Sequence, residues 1–253
     1  MALVPPLDLH VIALIAGAGF LAGVQNALAG GGSFITFPAL LLAGVHPLAA
    51  NMTSTIAMFP SQTTSAIAGR KLAEGVGTLS FKHLLIISLI GGVLGALLLL
   101  HTPPTFFEKL VPWLILFATS VFAWGSFRRK PLHAAGGMPR WGLVVAQACI
   151  AIYGGYFGGG IGFLMLAALT IAGQQVRVAA ATKNVLAAAM NASATLIFAT
   201  SDLISWPAAT ALCLGGIAGG LCGSWLIYRL PEKFMRGFVV AVGVVLTVWM
   251  FSR

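Results

Sequence analysis

Long apolar runs separated by short polar breaks fill this chain of 253 residues. Crossing the hydrocarbon core of a bilayer takes about 20 apolar residues, and eight runs are close to that length. Two further runs, 34–43 and 163–172, reach only about half a membrane thickness at a helical rise of about 1.5 Å per residue. The pattern predicts an all-α polytopic membrane protein with about eight transmembrane segments, or ten counting the short runs. The eight long runs are 9–28, 49–68, 79–100, 106–127, 141–157, 178–200, 206–227 and 234–251.

A glycine triplet precedes each short run, at 30–32 and at 158–160. Each run then ends in Ala-Gly and is followed, after a polar break, by a helix that opens on a polar cluster at Asn51 or Thr182. Glycine permits a tight reversal of the chain, and non-helical backbone is tolerated at membrane depth only when it packs in protein or lines water. The pairing predicts two re-entrant or broken hairpins around a transport site between structural repeats.

Charged residues orient the chain. Positive residues cluster at 70–82, 128–140 and 229–236, which the positive-inside rule makes cytoplasmic, whereas 101–108 and 201–205 are poor in positive charge. The N- and C-termini are then external.

The block GGVLGA at 91–96 matches GGIAGG at 215–220, yet the two segments leave from opposite sides of the membrane. We therefore expect one membrane domain, 1–253, with repeat 1 at 9–127, a cytoplasmic linker at 128–140 and an inverted repeat 2 at 141–251. Scattered glycines such as Gly91 and Gly95 are interpreted as helix-packing residues.

Composition narrows the function. Hydrophobic residues make up 59% of the chain and charged residues 8%, against about 25% charged residues in soluble domains. The net charge is +9, and all five acidic residues fall at segment boundaries or in loops. A cation cage or a carboxylate proton relay is therefore disfavoured, and we expect no metal, no cofactor and no nucleic-acid partner. The Gly-x-Ser-Gly and HExxH patterns of membrane proteases are absent, so the chain is not expected to be an enzyme.

Lys183 is the first candidate for the binding of an anion. It lies several residues inside a predicted spanning helix, where an ionisable residue indicates function; the alternative is that it snorkels to the headgroups, as Arg177 is expected to do. Free N–H groups at the hairpin tips would add partial positive charge. The complete set of candidate substrate-binding residues is Gly31, Gly32, Ser33, Asn51, Thr53, Ser54, Gly159, Gly160, Thr182, Lys183, Asn184 and Asn191.

The two glycine segments, AGGGSFITFPALLLAGVHPLAANMTST and GGGIGFLMLAALTIAG followed by ATKN, resemble the sulfite exporter TauE/SafE family, together with the blocks at 91–96 and 215–220. Ser33 stands where a glycine is common in that family. The resemblance implies a prokaryotic inner-membrane permease in the lipid bilayer for small sulfur-containing anions such as sulfite, thiosulfate or organosulfonates, mostly exported. A passive anion channel and an importer of a related sulfur compound remain alternatives, and the sequence does not reveal an oligomeric state.

Overall fold

The computed structural model describes residues 7–28, 31–127, 139–226 and 232–252, and almost all of them are helical. The predicted linker at 128–140 lies largely outside these ranges. A short 3₁₀ helix, Arg70–Leu72, follows the third α-helix. The α-helices of the described residues are α1 (Leu9–Leu28), α2 (Ser33–Leu42), α3 (Pro47–Gly69), α4 (Phe81–Leu100), α5 (Pro104–Phe127), α6 (Arg140–Tyr156), α7 (Ile161–Ile171), α8 (Val176–Phe198), α9 (Trp206–Leu226) and α10 (Glu232–Phe251).

The predicted segments and the observed helices agree closely, with one correction. The helices α3 and α8 begin at Pro47 and Val176, so Asn51 and Thr182 lie inside them and not at their starts. For α3 the reason is local. Proline fits the first turn of a helix, and the His46 ring accepts a hydrogen bond from the Leu48 N–H at 3.3 Å, which caps the helix one turn earlier. The half-length α2 and α7 have 10 and 11 residues.

Three helices of the described residues are long and apolar enough to cross a membrane: Leu9–Asn26, Phe81–Leu100 and Pro104–Trp124. The two 23-residue helices α3 and α8 are less apolar because polar side chains interrupt them. Outward-facing side chains of α4 are nevertheless large and apolar, among them Ile90 and Leu98, each 55% exposed. Such a face needs lipid around it. The chain is thus a mostly helical membrane protein, and the number of eight spans stays a prediction.

Glycines bring two helix pairs into close contact. A methyl group on Gly95 of α4 would lie 2.1 Å from the Ile152 carbonyl oxygen of α6, and one on Gly219 of α9 would lie 1.9 Å from the Phe20 carbonyl oxygen of α1. Only glycine permits backbones this close. The packing interpretation of Gly91 and Gly95 is confirmed, because Gly91 faces Ala151 in the same way.

Corresponding helices in the two halves have matching neighbours. The pair α1–α9 has its counterpart in α6–α4, and α2–α10 in α7–α5, while α3 packs on α8 and α5 on α10. The left-handed glycines Gly31 and Gly160 are 129 residues apart, and so are the left-handed glycines Gly44 and Gly173. A step of 129 residues therefore relates these segments of the two halves, which shifts the two glycine triplets by one position.

The helices α3 and α8 run antiparallel. The Thr53 hydroxyl of α3 accepts a hydrogen bond from the backbone N–H of Ser205, in the loop after α8, at 3.1 Å. The Thr182 hydroxyl of α8 accepts one from the backbone N–H of Glu74, in the loop after α3, also at 3.1 Å. The first part of each helix thus lies beside the segment that follows the other.

Candidate functional site

A partly open cavity lies between α2, α3, α8 and the turn that connects α6 to α7. Its volume is about 30 Å³, enough for roughly two water molecules. It is lined by Ser33, Phe37, Asn51, Ser54, Thr55, Met58, Gln62, Phe157, Gly158, Gly159 and Asn191.

Five of the predicted site residues meet in this cavity, although they are far apart in sequence: Ser33, Asn51, Ser54, Gly159 and Asn191. Ser33 begins α2, and Gly159 belongs to the turn before α7. Each half of the chain therefore contributes a helix N-terminus and one polar helix. This is the arrangement expected for a site between two hairpin tips.

Three predicted glycines lie next to the cavity and shape the tips without lining it. Gly31 and Gly160 have positive φ angles of 84° and 76°, which glycine adopts at no steric cost. The Gly32 N–H donates a hydrogen bond to Asn26 Oδ1 at 2.9 Å. That bond ties the start of α2 back to the end of α1.

The two predicted threonines point elsewhere. Thr53 and Thr182 are buried, and their hydroxyls hold the loops before α9 and before α4, as described above. Gln174 Nε2 also donates to Thr182 Oγ1 at 3.2 Å. Their contacts indicate a role in joining the two halves.

Lys183 and Asn184 lie outside the cavity lining. Lys183 is half-buried, and a methyl group on Gly162, in the first turn of α7, would lie 3.6 Å from its Nζ. Within the part of the chain that the structure describes, neither side chain forms a hydrogen bond or an ion pair. Lys183 precedes Asn191 by eight residues, about 12 Å along α8.

The most informative lining residue that sequence reasoning missed is Gln62. Asn191 Nδ2 of α8 donates a hydrogen bond to Gln62 Oε1 of α3. In the sequence, Gln62 is one of many polar residues of α3 and nothing singles it out. Gln62 is the counterpart of Asn191 under the 129-residue step, which the left-handed glycines reveal and a match of the two glycine triplets does not. The other missed residues are Phe37, Thr55, Met58, Phe157 and Gly158.

Aromatic rings of α5 and of both tips hold the two hairpins together. Phe34 of α2 packs against Phe122 of α5 with ring centroids 5.5 Å apart, and Phe163 of α7 packs against Phe122 at 4.3 Å. Phe34 and Phe163 are also 129 residues apart. One buried ring therefore contacts the same position of both hairpins and fixes their spacing.

The lining offers hydrogen-bond donors and no charge. Asn51 Nδ2 donates one bond to the Tyr156 carbonyl oxygen at 2.9 Å and retains a second N–H. The Ser54 hydroxyl pairs with Thr36 Oγ1 at 2.6 Å, and no described residue is bonded to the Ser33 hydroxyl at the N-terminus of α2. A helix N-terminus carries partial positive charge. The cavity is thus suited to a small anion, since it holds donors and lacks a carboxylate.

Comparisons with known proteins indicate a membrane transporter. The sequence pattern of the family described as sulfite exporter TauE/SafE matches residues 15–250. A relative from Haemophilus influenzae, named "Probable membrane transporter protein", is 30% identical over 247 residues, which are 95% of this chain and 94% of the relative. The "Probable membrane transporter protein YfcA" of Escherichia coli strain K12 is 27% identical over 252 residues, 97% of this chain and 90% of the relative. No solved structure matches the chain. Since the family pattern covers nearly the whole length, the chain belongs to the sulfite exporter TauE/SafE family of membrane transporters.

Proposed function

We propose that this protein carries small sulfur-containing oxyanions, such as sulfite, thiosulfate or a short organosulfonate, out of the cytoplasm through the cavity between its two hairpins. The observation that carries the proposal is the lining, which brings the Ser33 hydroxyl at the N-terminus of α2, the Asn51 amide and the Gln62–Asn191 pair into one cavity. Oxyanions accept several hydrogen bonds at once, and donors held by a protein bind them well.

The proposal includes an inverted-repeat architecture, with repeat 1 at 9–127 and repeat 2 at 141–251. Three observations support it: the exchange of neighbours between corresponding helices, the 129-residue step, and the antiparallel course of α3 and α8. Inverted repeats commonly place the substrate at their interface. The cavity is lined from both halves, as such an interface requires.

Membrane potential supplies a driving force for export. We place the loop with Arg70 and Lys71 in the cytoplasm of a prokaryotic inner membrane, following the positive-inside rule. An anion that leaves an inside-negative compartment gains about 2.3 kcal/mol per charge per 100 mV. The cavity lining contains no carboxylate that could bind a coupling cation, so the proposed export is driven by the potential alone.

Flux measurements in proteoliposomes test the proposal. Purified protein is reconstituted, and sulfite, thiosulfate and a short organosulfonate are compared with chloride and sulfate, with and without an inside-negative potassium diffusion potential. We expect saturable flux and counterflow of at least one sulfur oxyanion, with efflux accelerated by the potential. Flux without saturation or counterflow would indicate a passive anion channel. Efflux that the inside-negative potential slows would indicate a coupled importer. No flux of any of the three sulfur anions would refute the proposed function.

A further inference from the structure

We propose a second anion station, formed by Lys183 and the first turn of α7, on the opposite side of the Gln62–Asn191 hydrogen bond from the cavity. The proposal rests on the proposed function and adds a route to it: the anion enters at the cationic station and leaves from the uncharged cavity. Its basis is the correspondence between the two halves of the chain.

The 129-residue step carries Ser33 to Gly162 and Ser54 to Lys183. Two left-handed pairs, Gly31 with Gly160 and Gly44 with Gly173, share this step and lie on either side of Ser33 and Gly162. Ser33 and Ser54 both line the cavity. Gly162 and Lys183 are in contact as well, because a methyl group on Gly162 would lie 3.6 Å from Lys183 Nζ. Each half therefore brings the same two positions together, one on a half-length helix and one on a long polar helix.

The two pairs lie on opposite sides of the centre. Ser54 precedes Gln62 by eight residues on α3, and Lys183 precedes Asn191 by eight residues on α8, which is about 12 Å in each case. Since α3 and α8 run antiparallel and Gln62 bonds Asn191, the two displacements point in opposite directions. Lys183 is thus on the side of Glu74, whereas Ser54 is on the side of Ser205.

The chemistry around Lys183 suits an anion better than that around Ser54. In the described ranges no carboxylate is paired with the Lys183 ammonium, and the backbone N–H groups of Ile161 and Gly162 have no acceptor. An oxyanion seated between them would accept charge-assisted hydrogen bonds from the ammonium and further bonds from the turn. Two independent features, an unpaired cation and a helix N-terminus beside it, therefore converge on one position.

The same side carries the positive loop and is closed more tightly. Gln174 Nε2 donates to the Glu74 carbonyl oxygen at 3.1 Å and to Thr182 Oγ1 at 3.2 Å, which joins the loop after α3 to α8. Arg70 and Lys71 precede that loop, so the positive-inside rule makes it cytoplasmic. With this orientation, the cavity is on the outer half and its cationic counterpart is on the cytoplasmic half. The two stations would then give the two faces different half-saturating concentrations, while the membrane potential sets the direction of net flux.

Sulfite flux measured separately from each face tests the second station. Proteoliposomes of uniform orientation carry wild type, Lys183→Met, Lys183→Arg, Ser33→Ala or the matched control Arg177→Gln, an exposed cation in the first turn of the same helix. We expect Lys183→Met to raise the half-saturating sulfite concentration at the cytoplasmic face about tenfold or more, and to leave the external face within about twofold. Lys183→Arg and Arg177→Gln should behave as wild type, and Ser33→Ala should show the opposite preference for face. Melting temperature and gel-filtration profile establish that each variant is folded.

The outcomes separate this proposal from the proposed function. If Lys183→Met changes the half-saturating sulfite concentration equally at both faces, the anion has one shared site. If it changes it at neither face, the Lys183 ammonium does not bind sulfite and pairs with lipid headgroup phosphates instead. Both results overturn the second station while sulfite transport stands. Repeating the assay in vesicles of phosphatidylcholine alone and with added phosphatidylglycerol distinguishes the headgroup from free sulfite. Absence of sulfur-oxyanion flux in wild type would overturn both proposals.

Discussion

The side-chain amide of Asn191 on α8 donates a hydrogen bond to the side-chain carbonyl of Gln62 on α3, and the two residues are 129 positions apart. Both side chains also line the cavity. This bond joins equivalent positions of two antiparallel helices at the centre of the site. It therefore connects the stability of the helix pair to the shape of the cavity.

Removing either partner of that bond should destabilise the protein. Gln62→Leu leaves the buried Asn191 amide without its acceptor, which costs about 1–3 kcal/mol, and Asn191→Leu acts on the same bond. The double variant should lose less than the sum of the two, with a coupling energy of about 0.5–3 kcal/mol. Denaturation midpoints of the four proteins in detergent micelles measure this cycle. Strictly additive losses would show that the bond does not hold α3 to α8.

The threonines Thr53 and Thr182 should affect stability and not substrate affinity. Thr53→Val removes the acceptor of the buried Ser205 N–H, and Thr182→Val that of the Glu74 N–H, at a cost of about 1–3 kcal/mol each. Thr63→Val is the matched control, because the Thr63 hydroxyl bonds only to the Phe59 carbonyl oxygen of its own helix. Thermal unfolding and sulfite half-saturation are measured together. A loss of affinity with unchanged stability would place the threonines in the site after all.

Two glycines of α1 should respond in opposite ways to the same substitution. Gly23→Ala would place a methyl group 2.1 Å from the Gly216 carbonyl oxygen of α9, whereas no described residue lies within 4 Å of a methyl group on Gly17. Overpacking costs about 1–3 kcal/mol, and alanine is preferred to glycine in a free helix position by about 0.5–1 kcal/mol. Gly23→Ala should lower the melting temperature, and Gly17→Ala should leave it unchanged or raise it. Equal behaviour of the two variants would contradict the close α1–α9 contact.

Protein stability should fall as the pH is lowered, through the titration of His46. Burial lowers the pKa of His46 below its ordinary value of 6.5. The Glu108 carboxylate, whose Oε2 lies 3.9 Å from His46 Nε2, opposes that shift only in part. The unfolded chain then takes up the proton first, so stability is steady at higher pH and is lost as the pH falls through 6.5. Protonation also removes the Nδ1 acceptor that caps α3.

Melting temperatures between about pH 5 and pH 8 should show this decline in stability in wild type and in the exposed control His83→Asn. In His46→Asn, which keeps a capping side chain, the decline should be smaller; an identical profile would exclude His46 as its source.

The sequence predicts the helices well because polar, glycine and proline breaks separate its apolar runs. The bounds of α1, 9–28, are as expected, and the half-length α2 and α7 follow from glycines that end an apolar run. Residue contacts across the two halves are harder to predict. Thr182 and Lys183 are neighbours in one polar cluster, yet one bonds a loop of the other half and the other faces a glycine of α7. Which face each side chain takes depends on how α3 packs against α8, and periodicity alone does not determine that packing.

The one-residue shift between the two glycine triplets has the same origin. Matching the letters pairs the triplets directly, whereas the backbone pairs Gly31 with Gly160 through their left-handed conformations. Only that register makes Phe34 and Phe163 equivalent, and both contact Phe122. The register thus follows from backbone conformation and agrees with an aromatic contact to a third helix, and neither is visible in the repeated segments themselves.

The central claim, that a sulfur oxyanion binds among the uncharged donors of the cavity, is tested most directly by sulfite counterflow in proteoliposomes that carry Ser33→Ala/Ser54→Ala. Hydrogen bonds to a charged partner are worth about 1.5–3 kcal/mol each, so loss of the two hydroxyls should raise the half-saturating sulfite concentration about tenfold or more. Thr63→Val, on the same helix as Ser54 but outside the lining, should match wild type. Wild-type half-saturation in the double variant would contradict the account.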